Sequence, residues 1–192
     1  EMHLETFKTV ENIQETKFEL INSLPAGGLG VINYDSEYIK SYKGIKSPCK
    51  IIRYAVEGEG DYKANDVVYG AGGVSFTLGN GEHYCSRLLG VGNLLNILAS
   101  IAVADHLGVP ANKQRNAIAR LQPVEHRLSM KVANGITVLD DAYNSNPTGA
   151  KMSLGVLKEF AVGDGNKRIV ITPGFVEMGT RQADANKELG TG

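Results

Sequence analysis

The residues best suited to chemistry form one run, Asp140-Asp141-Ala142-Tyr143-Asn144-Ser145-Asn146-Pro147. It follows a short apolar, β-rich segment, Ile136 to Leu139, and ends on a proline suited to the first position of a helix, where a missing N–H costs nothing. Beyond it Ala150, Leu154, Leu157 and Ala161 recur at helical spacing. The run therefore reads as a strand-to-helix loop at the carboxyl end of a strand, where open α/β sheets bind ligands. An ordinary Asx-rich turn with a helix N-cap is the alternative.

Other polar groups stand at element ends or on apolar faces: His3, Lys17, Asn93, Asn96 and Arg127. An asparagine can read the edge of a base with paired donor and acceptor groups. An arginine can hold phosphate in a forked geometry. A carboxylate can take two ribose hydroxyls. A histidine with one further oxygen ligand can help hold a magnesium ion that keeps most of its waters. Together these groups suit a nucleoside triphosphate; singly, each has a structural explanation. Lys17 can snorkel, and Asn93 and Asn96 can cap a helix start.

The elements that must carry these residues follow from periodicity. Residues 8–24 read as a helix with Val10, Ile13, Lys17, Leu20, Ile21 and Leu24 on one face. Strands are expected at Leu29 to Tyr34, Cys49 to Val56, Tyr62 to Tyr69, Gly73 to Leu78 and His83 to Leu89, with Gly79-Asn80-Gly81 joining the last two as a hairpin. The later strands are expected to be antiparallel at one edge of a sheet. A helix follows from Gly90 toward Asp105, closed by Gly108 and Pro110, and then a short one over Asn112 to Leu121. Gln122-Pro123-Val124 reads as a hinge. The pattern restarts with strands Arg127 to Val132 and Ile136 to Leu139 around an Asn134-Gly135 turn. The helix after the polar run, a Gly163 to Asn166 linker and a strand Arg168 to Thr172 complete the reading.

Composition narrows the function classes. With 192 residues, 42% hydrophobic and 21% charged, the chain can form one large or two small globular domains. A net charge of −1 argues against a sequence-independent hold on nucleic acid. The most apolar stretch, Leu94 to Val103, is too short and too polar to insert across a membrane. Cys49 and Cys85 have no CxxC spacing and fit a reducing, cytoplasmic setting. No G-x-x-x-x-G-K-[ST] loop, HExxH, GxSxG or EF-hand loop occurs, and no histidine pairs with a recognisable nucleophile. Gly90-x-Gly92 lacks the third glycine of a dinucleotide fingerprint.

Four motifs follow in order between His3 and Pro147: His3-Leu4-Glu5 with Glu15-Thr16-Lys17-Phe18-Glu19-Leu20; Gly90-x-x-Asn93-x-x-Asn96-x-x-Ala99; Glu125-His126-Arg127-Leu128; and the Asp140 to Pro147 run. In these the sequence resembles the Mur ligase family, in its D-alanyl-D-alanine-adding branch. The resemblance implies an α/β fold: the carboxyl-terminal part of a central ATPase domain over residues 1–121, a mixed sheet with antiparallel edge strands and helices, followed by the first half of a Rossmann-like carboxyl-terminal domain over residues 122–192. It implies ATP and Mg2+ as cofactors, and UDP-MurNAc-peptide and D-Ala-D-Ala as substrates of the full-length enzyme. ATP would convert a substrate carboxylate to an acyl phosphate, which the dipeptide amine attacks to form an amide.

By the same resemblance His3 would bind magnesium, and Lys17 would be carbamylated, turning a cation into an anion able to bind a second magnesium. Asn93 and Asn96 would lie near the adenine. Arg127 would reach the ATP phosphates, Asp141 the ribose, and Tyr143 and Asn144 would share that nucleotide-facing loop. The family's phosphate loop and sugar-nucleotide domain would lie outside this sequence, so the chain reads as part of a longer enzyme and as inactive by itself. Two positions depart from the pattern: Gly92 stands where a histidine is expected, and Thr172-Pro173-Gly174-Phe175 where Leu-Gly-Asp-Met is expected. A paralogue with another acceptor or without activity would show such changes. The alternatives are therefore a non-catalytic relative kept as a binding or assembly module, and a folylpolyglutamate-synthetase-like ligase.

Overall fold

Backbone contacts in the computed structural model, which describes residues 4–160 and 167–191, separate the chain into two units. One comprises Glu11–Leu121; the other comprises Glu1–Val10 together with Gln122–Gly192.

The first unit is built on helix α2 (Val10–Asn22) and a five-stranded sheet: β1 (Leu29–Asn33), β2 (Lys50–Ala55), β3 (Tyr62–Gly70), β4 (Gly73–Leu78) and β5 (His83–Ser86), in the order β1-β2-β3-β4-β5. β1, β2 and β3 pair in parallel, whereas β3, β4 and β5 pair antiparallel. The mixed sheet with antiparallel strands at one edge is thus the arrangement that the periodicity predicts. Gly73 is required by packing: a Cβ there would fall 1.9 Å from the Ser86 carbonyl oxygen of the neighbouring strand.

Alternation along β4 points Val74, Phe76 and Leu78 inward. They meet Leu94, Ile97, Leu98 and Ile101 of helix α4 (Gly90–His106) and Ile118 of helix α5 (Ala111–Ala119), with Ala64 and Tyr84 closing the core. Gly108, at φ 73°, follows the α4 C-cap Leu107 in the left-handed conformation that ends helices. A short helix, α3 (Glu37–Ser41), was not legible as a periodic element. α2 follows its expected stripe in part: Val10, Ile13, Ile21 and Leu24 are half-buried. Phe18 is its buried residue and stacks on Tyr42 at 3.9 Å, while Leu20 is 72% exposed and Lys17 is exposed as well.

The second unit contains α1 (Leu4–Phe7) and the hairpin β6 (Ser129–Ala133) and β7 (Ile136–Asp140). Asn134 and Gly135 lie at φ 51° and 76°, the double left-handed turn that their types favour. Helix α6 (Pro147–Phe160) opens on its proline; a 3-10 turn, Gly179–Arg181, leads into α7 (Gln182–Thr191). One expectation is corrected here. Arg168 to Thr172 is not a strand, because β6 and β7 pair only with each other and no described strand offers this segment a ladder. Its apolar side chains are left outward, Ile169 at 73% and Ile171 at 95% exposure. The following loop is pinned: Phe175 N donates to Asn186 Oδ1 at 2.6 Å, Asn186 Nδ2 donates to the Phe175 carbonyl at 3.0 Å, and Phe175 is buried. The expected Gly163 to Asn166 linker lies outside the described residues.

Candidate functional site

In the second unit the hairpin brings together two motifs far apart in the chain. Antiparallel register sets Ser129 opposite Asp140, so the residues before β6 and after β7 leave the hairpin side by side. Four contacts then join Glu125–Leu128 to Asp140–Tyr143. His126 Nδ1 lies 2.9 Å from Asp140 Oδ2. Leu128 N donates to Asp141 Oδ1 at 3.0 Å. Tyr143 N donates to the His126 carbonyl at 3.1 Å. The Arg127 guanidinium lies 3.8 Å from the centre of the Tyr143 ring, a cation–π contact.

Arg127 is exposed and is flanked by two residues in the left-handed region, His126 at φ 62° and Leu128 at φ 49°. Non-glycine residues take that conformation when surrounding contacts impose it, a pattern concentrated at functional sites. Burial pulls the Asp140 carboxyl upward, but the His126 hydrogen bond, the Ala142 N–H and the nearby charges of His126 and Lys131 outweigh it and hold the group below the usual carboxylate range. Lys131 also pairs with Glu125 at 2.9 Å, tying the first motif to the hairpin a second time.

The polar run includes members bonded to α6 and members exposed to solvent. Asn146 is the helix cap, its Oδ1 accepting from Gly149 N at 2.9 Å, which accounts for the Asx-rich ending. Asp141 is not a cap; its second oxygen accepts from Ser153 Oγ on α6. Tyr143 and Asn144 are exposed.

In the first unit Asn93 and Asn96 occupy the first turns of α4, but neither caps it: the N-cap residue is Leu89 and has no side-chain cap. Asn93 Nδ2 donates to the Leu89 carbonyl at 2.9 Å. Asn96 is exposed and lines a groove of about 300 Å³ between α4 and α5, with Leu88, Ser100, Lys113, Ala117 and Leu121 among its walls. An amide on an apolar wall is the lining a planar heterocycle with polar edges would use. Lys17 stands apart on α2, exposed rather than buried among apolar side chains. His3 lies outside the described residues. Among the described residues no three His, Cys, Asp or Glu side chains are grouped to hold a metal ion, and no helix is long and apolar enough to cross a membrane.

Two partners of the paired carboxylates escaped sequence reasoning. His126 stood within a recognised motif, yet nothing in its type or spacing named Asp140 as its partner. Ser153 is a lone helical serine and carried no signal.

The chain as a whole has counterparts among known proteins. A UDP-N-acetylmuramoyl-tripeptide–D-alanyl-D-alanine ligase of Bacillus subtilis is 28% identical over 99% of this chain, which spans 41% of that protein. A UDP-N-acetylmuramate–L-alanine ligase of Dictyoglomus turgidum is 30% identical over 88% of the chain and 36% of its own length. The crystal structure of a MurF ligase from Thermotoga maritima in complex with ADP aligns with a TM-score of 0.83 at 28% identity, covering 98% of this chain and 43% of that one. The chain thus spans about two fifths of the length of these relatives. Residues 1–104, more than half of the sequence, match the Mur ligase middle domain, and the chain belongs to the Mur ligase family.

Proposed function

We propose that the full-length protein is an ATP-dependent amide ligase of peptidoglycan precursor synthesis, working in the cytoplasm and joining D-alanyl-D-alanine to a UDP-MurNAc-tripeptide. The carboxylate of the tripeptide takes the γ-phosphoryl group of ATP and releases ADP. The dipeptide amine then attacks the acyl phosphate, expelling inorganic phosphate and a proton as the amide forms. Residues 1–121 would supply part of the ATP-binding middle domain and residues 122–192 the beginning of the ligase domain. By itself this chain would be inactive.

The observation that carries the reading is the junction of Glu125–Leu128 with Asp140–Tyr143, which holds an exposed arginine beside an anchored carboxylate. Such a pair suits the phosphates and ribose of one nucleotide, Arg127 taking phosphate and Asp141 the ribose hydroxyls. Tyr143 and Asn144 would face the same nucleotide. Asn93 and Asn96 would read the adenine, supported by the groove that Asn96 lines. Magnesium would be held by His3 and, through a carbamate, by Lys17. An exposed protonated amine is no magnesium ligand, whereas a carbamate oxygen is. The ion would neutralise phosphate charge.

A second reading is favoured by the 30% identity to an L-alanine-adding ligase, which would give the protein UDP-MurNAc and L-alanine as substrates. The test is to supply the full-length protein with ATP and each pair of substrates, and to follow ADP release and product mass. ATP-dependent growth of the tripeptide by D-Ala-D-Ala is the expected result. Turnover with L-alanine alone would establish the second reading. Binding of substrates without turnover would establish a non-catalytic module.

A further inference from the structure

Asp141 is clamped on both carboxylate oxygens. Oδ1 accepts from the Leu128 N–H at 3.0 Å, and Oδ2 accepts from Ser153 Oγ. Ser153 is half-buried in the second turn of α6, with its hydroxyl also 3.1 Å from the Gly149 carbonyl oxygen. A hydroxyl has one proton, and an ionised carboxylate is the stronger acceptor, so the donor goes to Asp141. A carboxylate offers about four lone-pair sites. One clamp on each oxygen leaves one site free on each, the complement of two neighbouring hydroxyls. Without Ser153 only Oδ1 is fixed, and the carboxylate plane can turn about that single contact.

We propose that Ser153 is a positioning residue that orients Asp141 toward the two hydroxyls of a ribose, and so sets the preference for a ribonucleotide over nucleotides lacking them. The proposal rests on the reading of Asp141 as the ribose ligand and extends it to a residue that acts through Asp141 without touching the nucleotide.

The test is calorimetric binding of ATP and of 2′,3′-dideoxy-ATP to the full-length protein and its S153A, S153T and D141N variants. The wild type is expected to favour ATP. S153A is expected to weaken ATP about three- to tenfold, the range for losing the orientation of one charged hydrogen-bonding group, while leaving dideoxy-ATP unchanged. S153T, which keeps the hydroxyl, is expected to restore ATP affinity. Equal weakening of both nucleotides by S153A would overturn the proposal in favour of a purely structural serine, and unchanged ATP affinity would overturn it outright. Dideoxy-ATP binding by S153A itself reports that the variant is folded. If D141N leaves the preference for ATP unchanged, the ribose reading of Asp141 falls and takes the proposal with it. If D141N abolishes that preference and S153A does not reduce it, only the role of Ser153 falls.

Discussion

At the scale of single residues, the exposed guanidinium of Arg127 is held by a ring rather than by a carboxylate. Tyr143 lies face-on at 3.8 Å, which steers the charge without neutralising it. A phosphate can then take the full guanidinium charge. Replacing Tyr143 by Phe keeps the ring, so nucleotide affinity in the full-length protein is expected to stay within about twofold. Tyr143→Ala removes the platform and is expected to cost about two- to fivefold, the worth of an exposed cation–π contact of about 0.5–1 kcal/mol. Isothermal titration with ATP distinguishes the two. Asp140 answers to pH instead. Its carboxyl is held below its ordinary 3.8, so the stability it lends is complete above the unfolded value and is lost as pH falls through the depressed folded one. Thermal unfolding of the chain followed from pH 5 downward is expected to fall less steeply in Asp140→Asn than in the wild type.

At the scale of elements, α4 and α5 are joined to the sheet by a small polar network at the rim of the core. Tyr62 OH donates to Asp105 Oδ2 at 2.9 Å, while Gln114, buried at 5% exposure, donates to Asp105 Oδ1 and to the Val109 carbonyl. Burial, then the hydrogen bond to Asp105, pushes the Tyr62 phenol from 10.0 up to about 12. The fold favours the protonated phenol, so its contribution is whole below pH 10 and drains away as pH rises toward 12. Tyr62→Phe removes both the hydrogen bond and the titration. It is expected to lower stability at neutral pH by about 1 kcal/mol and to flatten the alkaline loss measured by urea unfolding between pH 9 and about 12. Other raised tyrosines, Tyr54, Tyr69 and Tyr84, keep part of that slope in place.

At the scale of the whole molecule, apolar burial is distributed unequally. The first unit has a continuous core in which Phe76, Leu94 and Leu98 are fully enclosed. The second leaves Ile136 at 64%, Ile169 at 73% and Ile171 at 95% exposure and depends more on turns, caps and side-chain hydrogen bonds. Leu98→Ala opens a void in close-packed surroundings and is expected to cost about 2–5 kcal/mol. Ile171→Lys changes a side chain that touches little and is expected to stay within about 0.5 kcal/mol of the parent. Chemical unfolding of the chain followed by circular dichroism measures both. Equal losses would show that Ile171 is packed in solution.

The sequence by itself determined what depends on a few neighbouring residues. Asn134-Gly135 specifies a hairpin because both residues tolerate positive φ. Pro147 opens a helix because its missing N–H is not needed there. Gly73 to Leu78 reads as the strand β4, and the helix opened at Gly90 and closed by Gly108 is α4. The loop richest in functional groups could be found this way too, since its types change abruptly at a strand end. Only the tertiary structure decided the rest. Of the α2 stripe around Lys17, Val10, Ile13, Ile21 and Leu24 are half-buried, while Lys17 and Leu20 are exposed and the fully buried residue is Phe18, stacked on Tyr42. Arg168 to Thr172 has the composition of a strand but no described neighbour with which to pair. The pairs His126–Asp140 and Asp141–Ser153 join side chains 14 and 12 positions apart. Backbone preference is local and can be read residue by residue. A side-chain partner depends on register and on helix placement, and these exist only once the chain has folded.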